Sequence, residues 1–324
     1  ADNSIIDVTT SNNGSDDILN ITNLTATASL GSEVAISLDG NTTFLANGSD
    51  DADIIAFADD STLDLTITNA SSSSVNNITV DANNGADTTV NIGGAIGLTG
   101  TLHVGADNGT ATALFTELNG ASGDIDVNAS NDAAVSLDIA TLNGEITNFT
   151  VNADNSTIDV TTNSSLIGVS NNYSVDITNL TATASSSSDV NITLNGDTTI
   201  AGGDITASAD DSTLDLTITN ASGSISNMTI DANNGADTTV NISASSDALQ
   251  LFDTLHVGAT NEGTAIASIN DLLMGGGNID VNASNDATVS LDIARLNGDI
   301  TNFTVAADNS IIDVTTSNNG SDDI

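Results

Sequence analysis

The chain repeats itself on three nested scales, and the shortest limits the folds open to it. The eighteen residues ADNSIIDVTTSNNGSDDI at 1–18 recur unchanged at 307–324, which sets a long period of 306. Inside it lies a half-period. ADDSTLDLTITNAS at Ala58 returns at Ala209, DANNGADTTVNI at Asp81 returns at Asp231, TLHVG at Thr101 returns at Thr254, and VNASNDA at Val127 returns at Val281. Beneath both, an Ala followed by Asp, Asn, Ser or Thr marks Ala1, Ala28, Ala58, Ala82, Ala106, Ala129 and Ala153, then Ala184, Ala209, Ala232, Ala259, Ala283 and Ala307. The steps run from 23 to 31 residues and make twelve units. The expected organisation is a half-repeat at 1–152, a second at 153–306, and the start of a third repeat at 307–324.

Most units carry an apolar–x–apolar triplet after the Ala, such as Ile6-Asp7-Val8, Leu63-Asp64-Leu65, Val90-Asn91-Ile92, Leu137-Asp138-Ile139 and Leu214-Asp215-Leu216. A second triplet closes most units, as in Ile78-Thr79-Val80 and Phe149-Thr150-Val151. Period-two alternation of branched aliphatic residues means strands with one face buried. The Asn-Gly, Gly-Gly and Asn-Asn steps between them tolerate the positive φ of sharp corners. A unit of about 24 residues cannot bury an apolar face by itself, but stacked units can. The pattern predicts an all-β fold, a β-solenoid (parallel β-helix) of about twelve coils of roughly 24–30 residues. The absence of Pro fits, because interior strands need every N–H. Stacked sandwich domains need about 100 residues and bulky aromatic cores, and this chain has no Trp. Disorder is opposed by an apolar content of 38%, much of it in alternation.

The charge is extreme: 44 acidic residues against one basic, Arg295, for a net charge of −43. Nucleic-acid binding is excluded, since phosphate contacts need Lys and Arg. No apolar run has the length of a membrane span, so membrane insertion is not expected. Lack of Cys removes disulfides and thiol chemistry. Stacked about 4.8 Å apart, twelve coils would advance about 58 Å, with a charge density comparable to duplex DNA. The middle residues of the first triplets, Asp7, Asp64, Asp138, Asp159, Asp215 and Asp292 with Asn91, Asn191 and Asn241, are expected to point outward along one face. Asn among them would relieve the repulsion of Asp stacked on Asp.

Hard oxygen ligands at this density suit calcium, the one cofactor the sequence suggests. The best local candidates are the Gly-Ser-Asp-Asp steps, with Asp16 and Asp17 in the first and Asp50 and Asp51 in the second. Each resembles a fragment of the glycine- and aspartate-rich repeat of RTX-type β-rolls, although the full G-G-x-G-x-D motif is absent. His103 and His256 share the TLHVG context and read as strand-face residues rather than as catalytic or metal-binding ones. No G-x-S-x-G elbow is present, acids are too abundant to single out a catalytic pair, and Arg295 is matched by Thr141 in the other half, so no enzymatic activity is expected. Asn-x-Ser/Thr sequons, among them Asn20, Asn23, Asn69, Asn148, Asn179, Asn282 and Asn302, arise readily in this composition.

Through its Ala-Asx coil starts and apolar–Asx–apolar triplets, the whole chain resembles the tandem β-strand repeats of giant bacterial surface proteins, the filamentous haemagglutinin-like and adhesin-like class. The resemblance implies an extracellular or cell-surface location and a rigid acidic filament, stalk or adhesin that self-associates into filaments or bundles and meets a host-cell or surface ligand. Identical ends read as a window on a longer array. Two alternatives stand beside it: a calcium-stabilised surface-layer or sheath subunit, and an ice- or carbohydrate-binding solenoid presenting Thr9-Thr10, Thr66, Thr68 and Thr88-Thr89.

Overall fold

The computed structural model describes residues 3–11, 18–45, 52–164, 175–245 and 248–317, the side chains of 72–74 and 121 excepted. The described residues are all β, without a helix, and their parallel strands stack as a β-solenoid of about twelve turns. Two compact units are distinguished: Ala1–Val151 with Asn155–Ser164, and Asn152–Asp154 with Ser165–Ile324.

In the first unit each turn contains three paired segments. The first segments stack 5–11 under 33–39, 62–67, 87–92, 110–115, 134–139 and 157–162. The second segments begin Leu19–Ile21 under 42–44, and the third stack Asn23–Ser29 under 53–59, 78–83, 102–107 and 125–130. Extended backbone continues through the bends, where the register shifts, so strands run far beyond the sequence triplets, up to Thr62–Asn83 at 22 residues.

The alanine marker is a structural column. Ala28 pairs with Ala58, Ala58 with Ala82, Ala82 with Ala106 and Ala106 with Ala129. In the second unit Ala184, Ala209, Ala232, Ala259, Ala283 and Ala307 form the same column. These alanines are buried along nearly the whole column because the chain bends immediately afterwards and leaves room for one methyl group. The bend residue has φ near +50°: Asp60, Asn84, Asn108 and Asn155 in the first unit, and Asp211, Asn234, Asn261 and Asn309 in the second. Asn and Asp visit this left-handed region more readily than other side chains. Where Ser follows the bend it turns inward, and its Oγ accepts a backbone N–H from the turn before: Ser61 from Ser32 at 3.2 Å, and Ser212 from Ser188 at 3.0 Å. At the next corner glycine is compulsory. Gly94 has φ +95°, and a Cβ there would lie 2.1 Å from the Ala70 carbonyl oxygen.

Inward rows such as Leu65–Val90–Ala113–Leu137–Val160 and Ile54–Ile78–Leu102–Ile125 fill the interior. Most of these side chains are fully buried, each worth about 1.5–3 kcal/mol on folding. That gain exists only with a turn above and a turn below, which makes the fold a property of the stack.

Register departs from the sequence reading in one respect. The outward triplet residues are exposed, but they fall in two columns. One runs Asp7–Ala35–Asp64–Thr89–Thr112–Ser136–Asp159, and the other Thr9–Ser37–Thr66–Asn91–Leu114–Asp138–Thr161. The cause is that Val90 lies eight residues after Ala82 whereas Leu63 lies five after Ala58: the corner takes up one of the three added residues and the strand the other two. Thr88, not Val90, therefore takes the inward place of Leu63. Thr88 is buried and its Oγ1 donates to the Asp81 carbonyl at 2.7 Å, which removes it from any outward threonine face.

Candidate functional site

The most organised polar chemistry lies around the two histidines. In the first unit His103 stacks between Thr79 and Asp126, while Asp81, Gly105 and Asn128 form the adjacent outward column. His103 therefore has an acid directly above it and a second acid diagonally below. Its Nδ1 lies 3.0 Å from Asp126 Oδ2 and its Nε2 3.1 Å from Asp81 Oδ1. The diagonal contact crosses the space over Gly105, where a Cβ would stand 2.6 Å from both Asp81 Oδ1 and His103 Nε2. Glycine makes the bridge possible.

The second unit holds the same arrangement. His256 stacks between Thr229 and Asp280, beside the column Asp231–Gly258–Asn282. Its Nε2 is 3.1 Å from Asp231 Oδ1 and its Nδ1 3.2 Å from Asp280 Oδ2, and a Cβ at Gly258 would meet both Asp231 and His256 at 2.7 Å. His256 and Asp231 also line a groove of about 360 Å³, together with Gly258, which has no side chain, and Ala306, which has only a methyl group.

A neutral imidazole has one N–H and can donate to one carboxylate, whereas an imidazolium donates to both. Hydrogen bonds to Asp126 and then Asp81 raise the His103 pKa from 6.5 to about 9, against the opposing effect of burial. His256 is raised by its hydrogen bond to Asp231 in the first place, with Asp280 adding to it. The Asp126 carboxyl is held below its ordinary range chiefly by its hydrogen bond to His103. Each site is a carboxylate–imidazolium–carboxylate bridge joining three successive turns. Both ring nitrogens are committed to carboxylates, so the histidines have neither a free base nor a free metal-ligating nitrogen to offer. The TLHVG repeat singles out the histidines in the sequence. Their partners, 22 residues before and 23 after His103, become visible only once the turn length fixes the register.

Arg295 donates through Nη2 to Asp271 Oδ2 on the turn before. Asp271 is almost wholly buried, and its Oδ1 has no hydrogen-bond partner. The one Arg of a chain without Lys thus offsets one of its most enclosed carboxylates.

Amide ladders line the bends. Asn84 Nδ2 donates to Asp59, Asn155 to Asp132, Asn261 to Asn234 and Asn285 to Asn261. At the opposite corner Asn148 donates both its backbone N–H and its Nδ2 to Asp124 Oδ1, at 3.1 and 2.9 Å, as Asn77 does to Asp53 and Asn227 to Asp204. Three sequon side chains spend their Nδ2 in this way: Asn148 on Asp124, Asn69 on Asn41 and Asn302 on Asn278. A glycan on that nitrogen would remove a rung.

The calcium candidates Asp16, Asp17, Asp50 and Asp51 lie outside the described residues. Among the described residues, no group of three or more His, Cys, Asp or Glu side chains is arranged to hold a metal ion. No family model, curated protein or solved structure matches this chain.

Proposed function

We propose that this chain is a structural repeat of an acidic extracellular filament, stalk or adhesin, serving as a β-solenoid spacer rather than as a catalyst. The observation that carries the reading is the residue-on-residue stacking within each unit, in which alanine lies on alanine from turn to turn and each turn is both floor and roof. The polar chemistry of the surface is spent between turns: the histidine bridges, the Arg295–Asp271 pair and the amide ladders all tie one turn to the next. Such a surface stiffens a stack and leaves few groups for a substrate. Near-absence of Lys and Arg also denies trypsin-like proteases their cleavage sites, a useful property outside a cell.

Electron microscopy of native material is the test. Thin unbranched fibres are the expected result. A two-dimensional lattice would favour a calcium-stabilised surface layer or sheath instead, and short isolated particles retained on ice or on a glycan matrix would favour a binding module.

A further inference from the structure

We propose that one outward face of the second unit is a saccharide-binding groove, in which Phe252 and Leu273 take the apolar side of a neutral sugar while Gln250, Asn297 and the Arg295–Asp271 pair take its hydroxyls. The inference adds a ligand to the filament reading and does not depend on it.

The two half-repeats part company on this face. They keep LDLTITNAS, TLHVG and VNASNDA letter for letter. Counted from TLHVG, however, Gly97 and Thr99 of the first half become Gln250 and Phe252. Counted from the LNG shared at 142 and 296, Glu117, Asn119 and Thr141 become Asp271, Leu273 and Arg295. Gln250 is the only glutamine of the chain and Arg295 the only arginine. Residues foreign to the repeat have thus collected on one outward face, where the stack does not need them, as expected of a site grafted on a scaffold.

Register brings them together. Ser224, Gln250, Leu273 and Asn297 form one outward column, and Phe252 points out two residues beyond Gln250, with Leu251 buried between them. The Phe252 ring is 50% exposed and rests on Gly275, where a Cβ would stand 2.6 Å from it. Gln250, Phe252, Asp271 and Leu273 lie between paired turns, so their arrangement owes nothing to an end of the stack. Ser222, Ser224, Gln250, Asp271, Arg295 and Asn297 line a groove of about 850 Å³, within the range of ~300–1,000 Å³ usual for small-ligand sites.

The polar groups of the groove ask for a ligand with hydroxyls. The Asp271 side chain is 4% exposed and lines the groove, yet its Oδ1 accepts no hydrogen bond. A buried acceptor without a donor is costly, and a hydroxyl entering the groove supplies one. The Arg295 side chain spends Nη2 on Asp271 and makes no other hydrogen bond among the described residues, which leaves the rest of its fork to donate to sugar oxygens. The Gln250 and Asn297 amides both donate and accept, as a hydroxyl does. Phe252 offers an apolar ring to the C–H face of a pyranose. An anionic ligand is opposed by the net charge of −43, with the one guanidinium already paired to a carboxylate. An extended peptide finds no free strand edge, because the strands at 250–251 and 272–274 are paired to the turns on both sides.

The probe is an array of immobilised neutral oligosaccharides built on glucose, galactose and mannose, beside their uronic-acid counterparts. Each sugar that retains the protein is carried into calorimetric titration. Saturable binding of at least one neutral sugar is the expected result. Phe252→Ala and Gln250→Ala, both at exposed positions, should each weaken it about tenfold or more with the urea-unfolding midpoint unchanged. Thr99→Ala, at the counterpart position in the first unit, should leave binding as it is. No binding across the array, or retention of acidic sugars alone, would overturn the proposal. Binding that survives in the folded double variant Phe252→Ala/Gln250→Ala would overturn it too, by placing the sugar elsewhere. Fibres in the microscope that bind none of these sugars would leave the filament reading standing and the groove without its ligand.

Discussion

Unfolding should depend on pH through the histidine bridges, and this chain is unusually suited to showing it. It has no Lys and no Cys, so the two histidines are the only side chains expected to titrate between pH 6 and 9.5. The folded pKa of His103 is about 9 against an ordinary 6.5. A raised pKa contributes stability that is fully present below 6.5 and is lost as pH rises through about 9. The whole interval corresponds to about 3 kcal/mol. The His103 side chain is 29% exposed, and solvent screening reduces the expectation to about 1–2 kcal/mol. The lowered pKa of Asp126 reports the same contact and is not added. Equilibrium urea unfolding at pH 6.5 and at pH 9.5 should show the difference as a lower midpoint at the higher pH. His103→Gln should remove the first unit's share of that difference, and the pair His103→Gln/His256→Gln should flatten the dependence. A wild type equally stable at both pH values, or a double variant that keeps the slope, would refute the assignment of imidazolium bridges.

Gly105→Ala should break the diagonal contact of His103 with Asp81, and the NMR-titrated His103 pKa should fall toward 6.5, while His256, next to an unaltered Gly258, keeps its own. Leu65→Ala empties part of a fully buried row and should cost about 2–5 kcal/mol in urea unfolding, whereas Ser136→Ala on the outer face should change stability by less than about 0.5 kcal/mol. Asn83→Asp sets an acid between Asp59 and Asp107 and should destabilise by about 1–2 kcal/mol at low salt, with much of the loss recovered in concentrated NaCl. If calcium binds the Gly-Ser-Asp-Asp steps, thermal melts should shift upward with Ca²⁺ over EDTA, and Asp16→Asn/Asp17→Asn/Asp50→Asn/Asp51→Asn should abolish the shift; an unchanged wild-type midpoint would remove calcium from the account.

The turn length, the parallel stack and the alanine column were legible because a solenoid writes its geometry into sequence spacing: Ala58, Ala82 and Ala106 pair because their spacing is one turn. Less legible was everything that depends on a single-residue difference at a corner. After Ala82 one added residue in the corner and two in the strand set Thr88 inward and shift Asn91 to the neighbouring column, and no hydrophobic pattern announces that a threonine has taken a leucine's place. The histidine bridges were half legible. A repeated His-x-Gly marks the ring and the gap beside it, but Asp81 and Asp126 are two acids among many until the register selects them. The Asp271 partner of Arg295 was hidden for the same reason.

Register also answers how a chain of charge −43 can stack at all. Two carboxylates on adjacent turns would stand about 5 Å apart, costing roughly 1 kcal/mol per contact even in water. The outward columns avoid this. Ile5–Glu33–Thr62–Asp87–Thr110–Ala134 and Ser29–Asp59–Asn83–Asp107–Ser130 in the first unit separate each acid from the next by a neutral residue. Asp189–Thr213–Asp237–Thr264 and Asn191–Asp215–Thr239 do the same in the second. Skipping one turn places like charges about 10 Å apart, near the screening length at 0.1 M salt, where their repulsion is small. The neutral residues between them are not fillers of equal kind. Asn donates to the carboxylate below it at the bends, and each His supplies a positive charge between an acid of its own column and one of the next. The dense negative surface is therefore tolerated by spacing and by local donors, so high salt should raise the stability of the wild type less than that of any variant that brings two acids onto adjacent turns.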